Sequence, residues 1–200
     1  MRRAALLTMS LLAALLAGCG STPPTHHFLL ESVVPPSGVV AGVRIGISDL
    51  GVSQYLLAPQ LQQRSGPNAL QRMPFERWAE PLDDAVERVL LLDIAAAAGT
   101  ESVRLAPWPR DWVPDWELKI RIERLDAGSE DAVLVAIWSL QDGARERAAR
   151  DRITRLSVPR SGQGGAALAA DLSALLGEFA RRIASEIPSP DASDAPARSD

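Results

Sequence analysis

Cysteine is nearly absent from these 200 residues: Cys19 is the only one. An internal disulfide framework and a four-cysteine zinc site are therefore excluded. Histidine is almost as scarce, and the two present, His26 and His27, are adjacent. A metal pair needs further ligands held rigidly, and neighbouring side chains in an extended chain point to opposite sides. The same scarcity argues against a serine–histidine–acid hydrolase, as does the lack of a Gly-x-Ser-x-Gly elbow. No Walker-type phosphate loop occurs. Long apolar runs are missing too. The longest covers residues 4–17, about 14 positions, where a membrane-spanning helix needs roughly 20. The chain is not an integral membrane protein of the helical kind.

That short apolar run has a different meaning. Residues 1–18 carry no acid, begin with Arg2 and Arg3, and end in Leu16-Ala17-Gly18 directly before Cys19. A basic start, an apolar middle and small residues at the end make an export signal, which takes no part in the fold. Loss of its two arginines moves the formal charge from −4 to −6. An acidic balance argues against nucleic-acid binding, which needs a basic patch able to displace counterions. It argues equally against electrostatic adhesion to anionic lipid.

The remaining chain has the length of one domain. Residues 19–27 read as a short polar tether, 28–187 as the folded domain, and 188–200 as a disordered tail of Pro, Ser, Asp and Ala. Residues 28–34 are expected to form a strand. Val43, Ile45 and Ile47 alternate with polar or small residues, a period-2 pattern for a second strand. Ser65-Gly66-Pro67-Asn68 is a run of turn formers between residues 60–64 and 69–73, which reads as a hairpin. From 75 to 98 the period becomes helical, with Pro81 starting the main helix and Gly99 stopping it. A short strand at 103–106 precedes a proline-broken loop, 107–114. The clearest alternation, Trp116, Leu118, Ile120 and Ile122, opens a three-strand meander through 132–140 and 150–158. A last helix is expected over about 166–187, with Leu168, Leu172, Leu175, Leu176, Phe179 and Ile183 on one face. The expectation is an α+β domain: a mostly antiparallel sheet with two long helices packed on it.

Three constellations invite a functional reading. Residues 162–167 match the Gly-x-Gly-x-x-Ala form of a dinucleotide-binding turn, yet the strand and acid that should follow are missing, so a helix-entry loop is the better reading. Glu80, Asp83, Asp84 and Glu87 cluster at a helix start, where acids complement the dipole and Asp84 is placed to pair with Arg88 at i,i+4. The third is the loop. Trp108, Trp112 and Trp116 follow at four-residue spacing, but Pro107, Pro109 and Pro114 forbid the helix that would align them. Trp116 begins a strand. Trp108 and Trp112 are either folded back on the domain or, with Arg110, offered to a partner, since tryptophan and arginine dominate binding hot spots.

Leu16-Ala17-Gly18-Cys19 is similar to the lipobox of bacterial lipoproteins. The resemblance implies lipidation of the Cys19 thiol, cleavage before it and acylation of the new amino group. Gly20 is not an aspartate, so the usual inner-membrane retention signal is missing and the periplasmic face of the outer membrane is expected. Further matches are Val43-Arg44-Ile45-Gly46-Ile47, Tyr55-Leu56-Leu57-Ala58-Pro59-Gln60-Leu61, Arg64-Ser65-Gly66-Pro67-Asn68-Ala69-Leu70, Arg77-Trp78-Ala79-Glu80-Pro81-Leu82 and Pro107-Trp108. With the strand through Leu125-Asp126 and with Trp138, these make the chain resemble the paraquat-inducible protein C family, the ABC-type transport auxiliary lipoproteins. Trp116 and Leu125 stand where a tyrosine and a phenylalanine would be expected. The resemblance implies a non-enzymatic outer-membrane component of an MCE-type intermembrane lipid transport system, without cofactor. Its partners would be an MCE-domain protein and the outer-membrane bilayer through the acyl chains, and the loop residues would contact either that MCE protein or a neighbouring copy of the same domain. A structural lipoprotein serving another envelope complex is the alternative.

Overall fold

The computed structural model describes residues 23–36, 42–143 and 149–187. Among the described residues eight strands form one open sheet: β1 (His26–Phe28), β2 (Ile45–Val52), β3 (Gln60–Gly66), β4 (Ala69–Trp78), β5 (Val103–Leu105), β6 (Trp116–Ala127), β7 (Asp131–Asp142) and β8 (Arg150–Pro159). Two helices, α1 (Leu82–Ala98) and α2 (Gly164–Ala184), complete the α+β domain.

The antiparallel meander β6–β7–β8 and the hairpin β3–β4 carry most of the paired length. Four junctions are parallel: β1 on β4, β5 on β2, and both β2 and β3 on β6. β2 and β3 share one edge of β6, β2 beside its first half and β3 beside its end. The hairpin turn is the two residues Pro67-Asn68, with Gly66 opposite Ala69.

Alternation along β6 puts Leu118, Ile120 and Ile122 inside, and the facing strand adds Leu134, Ala136 and Trp138. Both helices cover this face. Leu168, Leu172, Leu175, Leu176, Phe179 and Ile183 of α2 are all buried, as are Val86, Val89, Leu90 and Ile94 of α1. Phe179 meets Trp138 edge-on, with ring centroids 6.1 Å apart. Asp83 and Asp84 sit in the first turn of α1, where the dipole favours acids, and Gly99 closes the helix at φ 66°, the left-handed position that suits glycine.

The structure corrects several local expectations. The helical period does not begin at Phe75, because β4 continues to Trp78 before α1 starts. Trp78 is half-buried at that junction; its backbone N–H donates to the Pro59 carbonyl. Arg88 pairs with Glu80 instead of Asp84, and also donates to the Leu30 carbonyl at 2.8 Å. The residues after Phe28 are not a strand. Leu30 and Val34 are buried while Leu29, Glu31 and Val33 are exposed, so period 2 is real. The segment lies along the helices as a strap, and side chains replace a neighbouring strand. Asp93 of α1 accepts from the Ser32 hydroxyl and from the Val33 and Val34 N–H groups, and Ser173 of α2 accepts from the Glu31 N–H. Gly177 makes room, since a Cβ there would stand 2.6 Å from Val33.

His26 and His27 belong to β1, opposite Glu76 and Arg77, not to a free tether. Gly165 in the apparent dinucleotide motif has a packing reason: an added Cβ would lie 2.5 Å from the Phe28 ring and 2.7 Å from Glu76. Glycine is therefore required by close approach.

Arginines fasten the hairpin to the centre of the sheet. Asp126, 2% exposed, accepts from Arg64 Nε at 3.0 Å and from Arg124 Nε at 2.9 Å. Burial pushes its carboxyl up, but the hydrogen bonds and charges of Arg64 and Arg124 outweigh this and hold it below the ordinary value. Beside it, burial and the Asp126 charge push the Tyr55 phenol up to about 12. A depressed carboxylate stabilises the fold above the unfolded-chain value, about 3.9, and that contribution is lost as pH falls through the folded value. The urea midpoint should therefore begin to drop below about pH 5 and go on falling as pH passes the folded value, and less steeply in Asp126→Asn. Equal slopes for both proteins would assign the acid sensitivity to other groups.

Candidate functional site

The loop 107–114 leaves β5, returns into β6, and is held at both ends. At its start the Ala106 N–H donates to the Ile47 carbonyl at 2.9 Å. At its end the Arg44 guanidinium grips Asp115 with two nitrogens, Nη2 at 2.9 Å and Nε at 3.4 Å, and the Arg44 N–H adds a third bond at 2.8 Å. Partial burial raises the Asp115 carboxyl, yet the Arg44 hydrogen bonds and charge leave it lowered, and the hydrogen bond to Asp115 raises Arg44 in turn. Such a planar two-point grip fixes direction as well as distance. The loop is anchored rather than loose.

Between these anchors Trp108 lies across β2. A Cβ on Gly46 would meet its ring at 2.9 Å, so the glycine in an otherwise regular strand is what admits the indole. Trp112 stacks on Trp108 with centroids 5.6 Å apart, tilted by 60°, and the Arg104 guanidinium sits 5.0 Å over the Trp112 ring. Both indoles are half-buried. The two readings of these tryptophans are thus combined in one arrangement: each packs on the domain with one side and faces solvent with the other. Arg110 is exposed, and Val113 is 53% exposed at the same tip. Prolines and the internal stack limit the loop's unbound conformations, so a partner would order it at low entropic cost.

Sequence reasoning missed Arg104, Arg44–Asp115 and Val113. Gly46 was the available signal for the first packing contact, because a strand-interior glycine marks a close approach. Nothing local could have paired Arg44 with Asp115, which are 71 positions apart. Cys19 lies outside the described residues. Among the described residues no group of three or more potential metal ligands occurs, and no helix is long and apolar enough to cross a membrane.

Residues 28–184 match the family of ABC-type transport auxiliary lipoprotein components. The chain belongs to that family. It is a family of transport components and not of enzymes, and membership puts this auxiliary lipoprotein in the cell envelope. Its fold is similar to a crystal structure of a DUF330-family protein from Xanthomonas campestris, at TM-score 0.65 and 17% identity, covering 80% of this chain and 93% of that one. A second crystal structure, of an uncharacterized protein, aligns at TM-score 0.66 and 14% identity over 83% of this chain and 100% of the other. PelC from Paraburkholderia phytofirmans, a dodecamer, is a more distant match: TM-score 0.43, 13% identity, 76% of this chain and 95% of that one. No curated protein matches the sequence. At such identities the structural likeness concerns the fold alone.

Proposed function

We propose that this auxiliary lipoprotein is the outer-membrane subunit of an MCE-type intermembrane lipid transport system and receives the outer end of its periplasmic conduit. The observation that carries the reading is the family match over 28–184, which ties the whole folded domain to ABC-type transport. Support for the outer membrane comes from the lipobox ending at Cys19 and from Gly20 after it; the MCE assignment rests on the resemblance to the paraquat-inducible protein C family. Acyl chains on Cys19 hold the domain at the bilayer, each buried methylene contributing about 0.8 kcal/mol. The domain then acts by binding, not by chemistry. Arg110, Trp112 and Trp108 offer the partner-facing surface, in which a half-exposed indole is backed by a second indole and capped by Arg104.

The direct test is a pull-down of the tagged, acylated protein from envelope extracts, with an MCE-domain protein expected among the captured chains. Capture of a different envelope complex without any MCE protein would overturn the reading. Trp112→Ala tests the docking surface. A hot-spot loss of about 2 kcal/mol corresponds to a roughly 30-fold weaker association. Half-burial predicts only a small drop in melting temperature. Undiminished co-purification of a destabilised variant would instead assign Trp112 to packing.

A further inference from the structure

β1 fixes which end of the molecule the anchor approaches. His26, His27 and Phe28 lie parallel to β4, paired with Glu76, Arg77 and Trp78. Since β4 runs from Ala69 at the hairpin turn toward Trp78, the chain before His26 heads toward the hairpin. Cys19 precedes His26 by seven residues. Seven residues span at most about 25 Å. β3 meets β6 at Ala127, so the hairpin lies past the end of β6, while the loop 107–114 precedes its start at Trp116. The two ends are about 36 Å apart, at about 3.3 Å for each of eleven steps along β6. His26 stands beside the last residues of β6, roughly 30 Å from Trp116 by the same rise. Even a fully reversed tether falls short of the tryptophan loop.

The hairpin end also carries an apolar surface. Phe75 is 38% exposed, Pro74 is exposed and Met73 half-buried, all on the part of β4 beyond the last β1 pair. Arg72, Arg77, His26 and His27 are exposed beside them, and Glu130 and Asp131 are exposed on the neighbouring β6–β7 turn. With both signs of charge present, apolar contact and not net charge selects the partner.

Resting on the lipidation of Cys19 proposed above, we infer that the β3–β4 hairpin end, through Phe75, Pro74 and Met73, lies against the lipid surface that holds the acyl chains. The tryptophan loop is consequently turned away from that membrane, toward the periplasm. The tether keeps the attachment point nearer the hairpin than the tryptophan loop, and apolar contact of Phe75, Pro74 and Met73 with the lipid then sets the orientation. This gives the domain a lipid-facing end and a partner-facing end.

The test uses the full acylated protein, whose own thiol is blocked, in vesicles of phosphatidylcholine and phosphatidylethanolamine. Phe75→Cys and Val113→Cys each carry one environment-sensitive fluorophore, with brominated acyl chains as quencher. An interfacial side chain sits about 5–10 Å into the headgroup boundary. The label at position 75 should be quenched and the label at 113 should keep its intensity. Asn68→Cys at the hairpin turn serves the same purpose if a label at 75 disturbs packing. Equal intensities at both ends, or quenching at 113 alone, overturn the orientation while leaving the anchor intact. An intact mass without acyl groups on Cys19 overturns the anchor and the orientation together.

Discussion

Cys19→Ser should move the protein from the membrane fraction to the soluble fraction, or leave it as an uncleaved precursor. Lipid attachment requires the thiol as nucleophile, and serine cannot take its place. Among the described residues no helix is able to cross a membrane. A single acyl chain holds a protein only marginally, so the two or three chains of a lipoprotein supply a large multiple of about 0.8 kcal/mol per buried methylene. The expected effect is therefore nearly all-or-none. Fractionation and acyl labelling read it directly, and persistent labelling of the serine variant would sink the assignment.

Asp171→Ala should produce the largest loss of stability among single polar substitutions. The Arg160–Asp171 pair is nearly enclosed, with side chains 7% and 5% exposed and Nε to Oδ2 at 2.7 Å. It joins three elements. Arg160 follows β8, Asp171 lies in α2, and Arg160 Nη1 also donates to the Gly128 carbonyl of the β6–β7 turn at 2.8 Å. The Ser161 N–H adds a bond to the same carboxylate at 3.1 Å. Removing Asp171 leaves a buried guanidinium without its counter-charge, which typically costs about 3–5 kcal/mol. For a domain of this size that is roughly a 10 °C fall in melting temperature. Replacing both partners, Arg160→Met with Asp171→Leu, should recover most of it, because the desolvation penalty disappears along with the attraction. A single variant that melts within about 2 °C of the native protein would show that water reaches Arg160.

The sequence patterns that proved legible were those enforced within one element. Alternation in Trp116–Ala127 named the central strand, because a sheet with one covered face demands period 2 along each strand. Every residue named for the apolar stripe of α2 is buried, since a helix on a sheet buries one face. Ser65-Gly66-Pro67-Asn68 located the hairpin through turn chemistry alone. Residues 29–34 were misread for an instructive reason. An extended chain shows the same alternation whether it pairs with a strand or lies along helices, and only Asp93 and Ser173 distinguish the two. The tryptophan loop was found, but its backing was not. Arg104 and Gly46 come from strands that precede the loop, and their meeting depends on the β2–β5 pairing.

By itself the sequence determined the α+β composition, the order of the main elements and the core faces of both helices. Each of these is written in local spacing or residue type, where physical chemistry acts over a few positions. Tertiary structure alone decided the parallel junctions, the strap along the helices, and the Arg44–Asp115 and Arg160–Asp171 bridges. Those depend on contacts between residues far apart in the chain. The choice among registers is made by the summed burial and hydrogen bonding of whole elements, a quantity that no short window of sequence contains.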